Sequence, residues 1–257
     1  MKNLILISVI ASVTLFCTPK KAPNETAENE ISEVIQLIKA PLSPEFKDAK
    51  LNATNIDINA NDSAYLIDFA FEVTNYALGR QTEDAATRGI ANSDKGQHIH
   101  LIINNEPYSA HYEPAAHKNL PEGNYVALAF LSRSYHESVK NGQSFVLANI
   151  NAGNNNAPFD ETSQHLFYSR PKGSYKGPEI KNLLLDFFLI NTELSADGNK
   201  IRATINGEIF MIDEWVPYYI KGLSPGELTV KLELLDVDGN AIEGPYNVVE
   251  RKVTLTD

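Results

Sequence analysis

Three short blocks recur, in the same order, in the two halves of this chain. "LIDFAFEVTNYAL" from Leu66 matches "LLDFFLINTEL" from Leu184, which aligns Asp68-Phe69 with Asp186-Phe187. "IHLIINNE" from Ile99 matches "IRATINGE" from Ile201, and "LPEGNYVALAFL" from Leu120 matches "LSPGELTVKLELL" from Leu223. Repetition in register of this kind marks an internal duplication. The repeated runs are short, rich in β-branched and aromatic residues, and separated by turn signals, which is an all-β pattern. A repeat of roughly 90–120 residues suits one β-sandwich. The sequence therefore predicts two tandem immunoglobulin-like β-sandwich domains.

The leader points to compartment. "MKNLILISVIASVTLFC" starts with Lys2, runs largely apolar from Leu4 to Phe16 and closes on Cys17, the single cysteine of the chain. A positive start before a short apolar core is the pattern of an export signal. The run is too short to span a bilayer, which takes about 20 apolar residues. Cys17 then reads as the acylated residue of a bacterial lipoprotein, although Thr14, Leu15 and Phe16 match the usual preceding residues loosely. A plain signal peptide cut elsewhere, or an uncleaved anchor, is the alternative. "TPKKAPNETAENE" after it has tether composition. Ile31, Val34, Ile35 and Ile38 fall at helical spacing and predict one short amphipathic helix. The expected layout is residues 1–16 signal peptide, 17–44 acylated cysteine, tether and helix, 45–168 first sandwich, 169–257 second. The 257 residues carry a net charge of −11, which excludes a nucleic-acid partner.

"GQHIHLIINNEPYSAHY" concentrates chemistry. A two-residue hairpin loop at Asn104-Asn105 pairs His98 with His111 and His100 with Ser109, so His98, His100 and His111 converge on one outward patch. Such a trio suits Zn or Cu(II). His136, in "AFLSRSYHESVK", is a fourth candidate, and Glu137 is placed to orient it. Tyr108, Ser109 and Tyr112 are candidate ligand contacts on the same hairpin. Copy two has Lys200 and Arg202 at the places of His98 and His100, and all six histidines lie in copy one. The offset between matched blocks falls from 118 to 102 residues, so copy one carries 16 extra residues leading into His98. The competing reading is a set of solvated surface histidines on a half-exposed strand. Blue-copper chemistry is excluded because it needs a cysteine in the fold.

Catalytic patterns are lacking. No Gly-x-Ser-x-Gly elbow, glycine-rich phosphate loop or His-Glu-x-x-His occurs. Ser134, His136 and Glu137 cluster in sequence, but a strand would turn Glu137 to the opposite face. Trp215, Tyr218 and Tyr219 read as packing residues. Asp236 and Asp238 in "VDGN" lack the remaining ligands of a calcium loop and read as a turn.

At "HIHLIINNEPYSAHY", "AFLSRSYHESVK" and "IRATINGEIFMIDEWVPYYIKGL" the chain resembles a group of bacterial envelope lipoproteins of unassigned function with the same two-part layout. The H-x-H strand is also similar to a small periplasmic domain with clustered histidines. Some members of the first group are described as phosphopeptide-binding, after the forkhead-associated domain. That domain's Gly-Arg is matched by Gly79-Arg80, but its Ser-x-x-His is absent. The resemblance implies a tandem β-sandwich lipoprotein.

The sequence thus leads to a non-enzymatic binding or scaffold protein, exported by the general pathway and lipid-anchored in the bacterial envelope. It would sit at the outer membrane, periplasmic or surface-facing. Its partners would be the membrane, through the anchor, and an envelope protein or glycan. A phosphopeptide- or glycan-binding lipoprotein is the alternative.

Overall fold

The computed structural model describes residues 34–153 and 159–257. The leader, Cys17 and most of the tether lie outside the described residues. Among the described residues no helix is long and apolar enough to cross a membrane.

The first sandwich packs a three-stranded sheet on a four-stranded one. The first holds β2 (Lys50–Ala60), β3 (Tyr65–Thr74) and β6 (Ala115–Leu120), in that spatial order. The second runs β5 (Ser109–His111), β4 (His98–Ile103), β7 (Gly123–Ser132), β8 (Phe145–Ala152). The second sandwich repeats the plan. One sheet runs β1 (Gln36–Lys39), β14 (Tyr218–Lys221), β11 (Leu183–Ile190), β9 (His165–Arg170). The other runs β10 (Ser174–Lys176), β16 (Val248–Thr256), β15 (Gly226–Leu235), β12 (Lys200–Ile205), β13 (Glu208–Ile212). This is an immunoglobulin-like arrangement in which β5 pairs beside β4, and β13 beside β12, at the edge of the larger sheet of each sandwich.

The repeated blocks fall on equivalent strands: β3 and β11, β4 and β12, β7 and β15. Their turns correspond too. Asn104 and Asn105 take φ of 50° and 57°, and Asn206 and Gly207 take 46° and 89°, the positive values a two-residue hairpin loop requires. The Oδ1 of each leading asparagine accepts a backbone N–H from the neighbouring strand, Val126 at 2.8 Å and Thr229 at 2.8 Å. The Asp236 carboxylate accepts the N–H groups of Asp238 and Asn240, which makes its loop an Asx turn.

Each sandwich has its own core. Leu51, Phe69, Leu101 and Leu131 belong to the first, and Leu185, Phe187, Ile201 and Leu232 to the second. A third apolar layer joins them. Ile102, Leu128 and Phe130 of the first meet Phe167, Phe188 and Ile190 of the second. Strands β4, β7 and β11 are thus covered on both faces, which explains their unbroken apolar runs. Strand β12 is covered on one face and alternates buried with half-exposed residues.

Two sequence expectations are corrected. Where a helix was expected, Gln36–Lys39 is a strand, antiparallel to β14. The free edge of β14 offers unpaired backbone groups, and Ile35 and Leu37 alternate inward onto the second core. Pairing with that edge overrides the three-four spacing. The expected 168/169 boundary also falls inside β9, which pairs with β11 and belongs wholly to the second sandwich. From β1 the chain crosses to the first sandwich. The Arg88 guanidinium donates to the carbonyls of Pro41 and Leu42, both at 2.7 Å, and Arg133 donates to Pro44 at 2.6 Å, fixing that crossing.

Phe188 stacks on Phe130 with centroids 4.9 Å apart and meets Trp215 edge-on at 5.0 Å. Phe188→Ala is expected to lower unfolding stability by about 3–5 kcal/mol. Urea titration followed by circular dichroism measures this, and a loss below about 1 kcal/mol would show that the shared layer is not a packed core.

Candidate metal centre

Strand β4 leaves Gly96 in a left-handed turn with φ of +84°. A Cβ there would sit 2.5 Å from the Gly79 carbonyl oxygen, so only glycine fits. The Gly96 carbonyl accepts the Nδ1–H of His98 at 2.7 Å. That bond fixes the tautomer: His98 Nε2 carries a lone pair, aimed at the seam between the sandwiches. His100 follows two residues on, on the same face.

The third member is His136. Strand β7 ends at Ser132, and residues 133–137 form a turn closed by Arg133 N–H to Glu137 O at 2.8 Å. His136 sits in it with φ of 68°, a left-handed region uncommon for residues other than glycine, in which asparagine, aspartate and histidine are the main exceptions. Such strain costs about 1–3 kcal/mol and persists only where surrounding contacts enforce it. The 16-residue insertion supplies those contacts. Thr82 and Ser134 exchange hydrogen bonds, Ser134 N–H to Thr82 Oγ1 at 3.0 Å and Thr82 N–H to Ser134 Oγ at 3.2 Å. Ser93 N–H also donates to the Ser134 carbonyl at 2.9 Å.

His98 Nε2 lies 2.8 Å from His100 Nε2 and 3.1 Å from His136 Nδ1. All three ligand atoms lie within 4.8 Å of one another. Imidazole nitrogens about 2.0–2.1 Å from one cation, at angles of 90–109°, sit about 3 Å apart, so the 2.8 and 3.1 Å spacings about His98 suit a shared ion. Ser169, from β9, faces His100 Nδ1 at 3.4 Å. Its hydroxyl donates or accepts, so it serves either tautomer of His100. Tyr108 stacks on His100 with centroids 3.4 Å apart, and Phe130 meets His100 edge-on.

His98 and His100 are fully buried, not outward-facing as expected. The face that is solvated in copy two, where Arg202 pairs with Glu233, is covered in copy one by the second sandwich. His111 does not join the group. The observed register pairs Ile99 with His111, His100 with Ala110 and Leu101 with Ser109, one residue off the expected one. The loop closes as expected, Glu106 N–H to Ile103 O at 2.9 Å, but Pro107 has no N–H to continue the ladder, and one residue is extra before Ser109. A one-residue slip exchanges faces. His111 and Ser109 move to the other side, bonded to each other at 2.8 Å, while Tyr108 and Tyr112 come to the histidines. Glu137 does not orient a ligand. It pairs with Arg133 and accepts the Ser43 hydroxyl. His117 on β6 pairs with Asp68 of β3, and His165 bonds to the Asp160 carbonyl, both apart from the trio. Trp215 donates to the Phe187 carbonyl at 2.9 Å and is packed.

Burial is the main cause that lowers all three imidazoles, with help from Arg170 and Lys172. His98 falls to about 4, and His100 and His136 lie below the usual histidine range. Neutral imidazoles are the form that binds metals. Sequence reasoning missed Gly96, Ser169 and Arg170. Gly96 was legible in "KGQHIH", but Ser169 and Arg170 come from the other sandwich and left no local signal.

No family model matches the chain, and no curated protein matches it. Among solved structures it overlays on Clostridium thermocellum CbhA fibronectin(III)-like modules at 13% identity, covering 87% of this chain and 94% of that one, with a TM-score of 0.29. A central fibronectin-III array of RIM-binding protein gives 10% identity, 84% and 72% coverage, and a TM-score of 0.27. Bacteroides ovatus SGBP-B in complex with a mixed-linkage heptasaccharide gives 14%, 85% and 47%, and 0.21. Scores this low carry no argument, and the fold assignment rests on strand order.

The sign of the pH dependence follows from the lowered values. Between pH 6.5 and about 4 the unfolded chain binds protons that folded His98 refuses, so folding stability is full above 6.5 and falls as pH drops through this window. Melting temperature is expected to fall from pH 6.5 to 4, with a shallower slope in His98→Gln/His100→Gln. An equal slope in the two proteins would show that the pair is not the cause.

Proposed function

We propose that this protein is a lipid-anchored envelope binding protein whose ligand is a transition-metal cation held by His98, His100 and His136. The observation that carries this reading is the convergence of three neutral ring nitrogens at 2.8 and 3.1 Å in a buried seam, one of them on a strained backbone. Three imidazoles suit Zn or Cu(II). The anchor reading is supported by the apolar run that ends at Cys17. The tandem sandwiches supply the rigid scaffold, because a site supported by strands and a packed seam is held more accurately than one on free loops. The histidines act here as ligands, and the role is binding, not turnover. A phosphopeptide reader needs free Arg clusters, and Arg88 and Arg133 are engaged in fixing the chain crossing.

Titration of metal-free protein with Zn(II) and Cu(II) by calorimetry tests this. One equivalent is expected to bind the parent. His98→Ala/His100→Ala and His136→Ala should each weaken binding at least about 100-fold, beyond the usual cost of losing a supporting partner. His111→Ala should leave it unchanged. Binding no tighter than millimolar, or equal binding by the His136→Ala protein, refutes the site.

A further inference from the structure

The seam between the sandwiches holds a second feature, which His98, His100 and His136 do not line. Two open cavities lie along it, of about 490 and 710 Å³. Both fall within the range of ligand sites, about 300–1,000 Å³. The first is walled by the crossing chain and the turn after Ser132 on one side, and by residues 214–217 of the second sandwich on the other. The second lies between Phe145 of the first sandwich and the end of β11 with the residues after it. Lys140, Asn141 and Trp215 line both, so the cavities meet there. Trp215 is fixed at that junction. Its N–H donates to the Phe187 carbonyl at 2.9 Å, and Phe188 meets it edge-on at 5.0 Å. This packing leaves the indole half-buried, as a rigid wall shared by the two cavities.

The charges in the groove select its ligand. In a chain of net charge −11 the first cavity is balanced. Lys39 pairs with Glu214, Lys47 with Glu45, Arg133 with Glu137, and Lys140 with Asp186 beneath it, so every charged side chain lining that cavity is in an ion pair. Glu193, exposed at the rim of the second cavity, stands outside these pairs. A phosphorylated or sulfated ligand needs unpaired cations, and neither cavity is lined by one. An apolar chain would strip water from the ion pairs and return no hydrogen bonds, which is costly. A sugar hydroxyl both donates and accepts. It replaces water at ammonium and carboxylate alike, while the C–H face of a pyranose ring lies on the indole.

We infer that this groove is a second binding site, for an uncharged oligosaccharide that lies across Trp215 with sugar units in both cavities. The Lys39–Glu214 pair receives hydroxyls in the first cavity, and Glu193 receives them at the far rim. Two cavities meeting at one ring suit a chain and not a single sugar. The site is independent of the metal reading, because it shares no residue with the three histidines. Both sandwiches contribute to it, so the docking that buries the histidines also builds the groove.

Trp215 is the single tryptophan of the chain, so its fluorescence reports on the groove directly. Emission of the metal-free protein is followed while dextran, mannan, galactan and chitin oligosaccharides are added, with the corresponding single sugars and dextran sulfate beside them. At least one neutral oligosaccharide is expected to give a saturable change, with its single sugar at least about 10-fold weaker and dextran sulfate without effect. Lys39→Ala/Glu214→Ala removes an exposed pair that contributes little to folding, and should weaken binding about 10-fold. Trp215→Phe, read by calorimetry with circular dichroism as the folding control, should weaken it as well. One equivalent of Zn(II) should leave glycan binding unchanged. No saturable change with any of these glycans overturns the inference, as does equal binding by Lys39→Ala/Glu214→Ala. Tighter binding of dextran sulfate, or of a leucine-rich peptide, at Trp215 overturns it too. None of these outcomes touches the three-histidine reading, which the metal titration decides separately.

Discussion

His98, His100 and Ile102 share one face of β4, and the second sandwich closes over that face. Burial there lowers the imidazoles and keeps them neutral. It brings Ser169 of β9 within reach of His100. It turns a surface strand into an inner one, with Leu101 in the first core and Ile102 in the shared layer. A solvated strand with the same residues would hold protonatable, mobile histidines. The seam makes them a fixed, dry set, in which electrostatic interactions are stronger than in water.

The duplication was legible because it lies in residues that must recur. Asp68-Phe69 and Asp186-Phe187 mark the same strand twice, and Asn104 and Asn206 lead the same turn twice. Core faces such as Ile201, Ala203 and Ile205 read directly from period-two alternation. The register of β5 was not legible. It turns on how the ladder resumes after Pro107, and one residue decides whether His111 or Tyr108 faces His100. The short strand at Gln36 was also hidden. Its apolar spacing fits a helix, and only the waiting edge of β14, about 180 residues further on, makes it a strand.

The asymmetry between the copies has a structural cause. In copy two the matching face carries Lys200 and Arg202, and Arg202 reaches Glu233 through a bidentate pair at 2.8 and 2.9 Å. That face meets solvent, where charge is cheap. In copy one the same face meets another domain, and charge there is expensive. Histidine, which stays neutral when buried, is compatible with both burial and ligand chemistry. The insertion follows the same division. Its residues bind the turn that holds His136 and the crossing chain, through Thr82, Ser93 and Arg88.

All three histidines come from the first sandwich, while Ser169, Arg170 and Lys172 come from the second. The two parts therefore have different tasks. The first sets the geometry of the nitrogens, and the turn that carries His136's positive φ is tied to its own insertion through Thr82 and Ser93, with Asp186 of the second sandwich holding Ser138 just beyond it. The second sets the dielectric and the charge. This separation links occupancy of the site to docking of the domains. A cation that binds more tightly in the closed, dry arrangement stabilises that arrangement by the same factor. The cationic Arg170 and Lys172 act against it unless an anion completes the set. The balance of charge across the seam, more than the three nitrogens alone, thus governs what the site can hold.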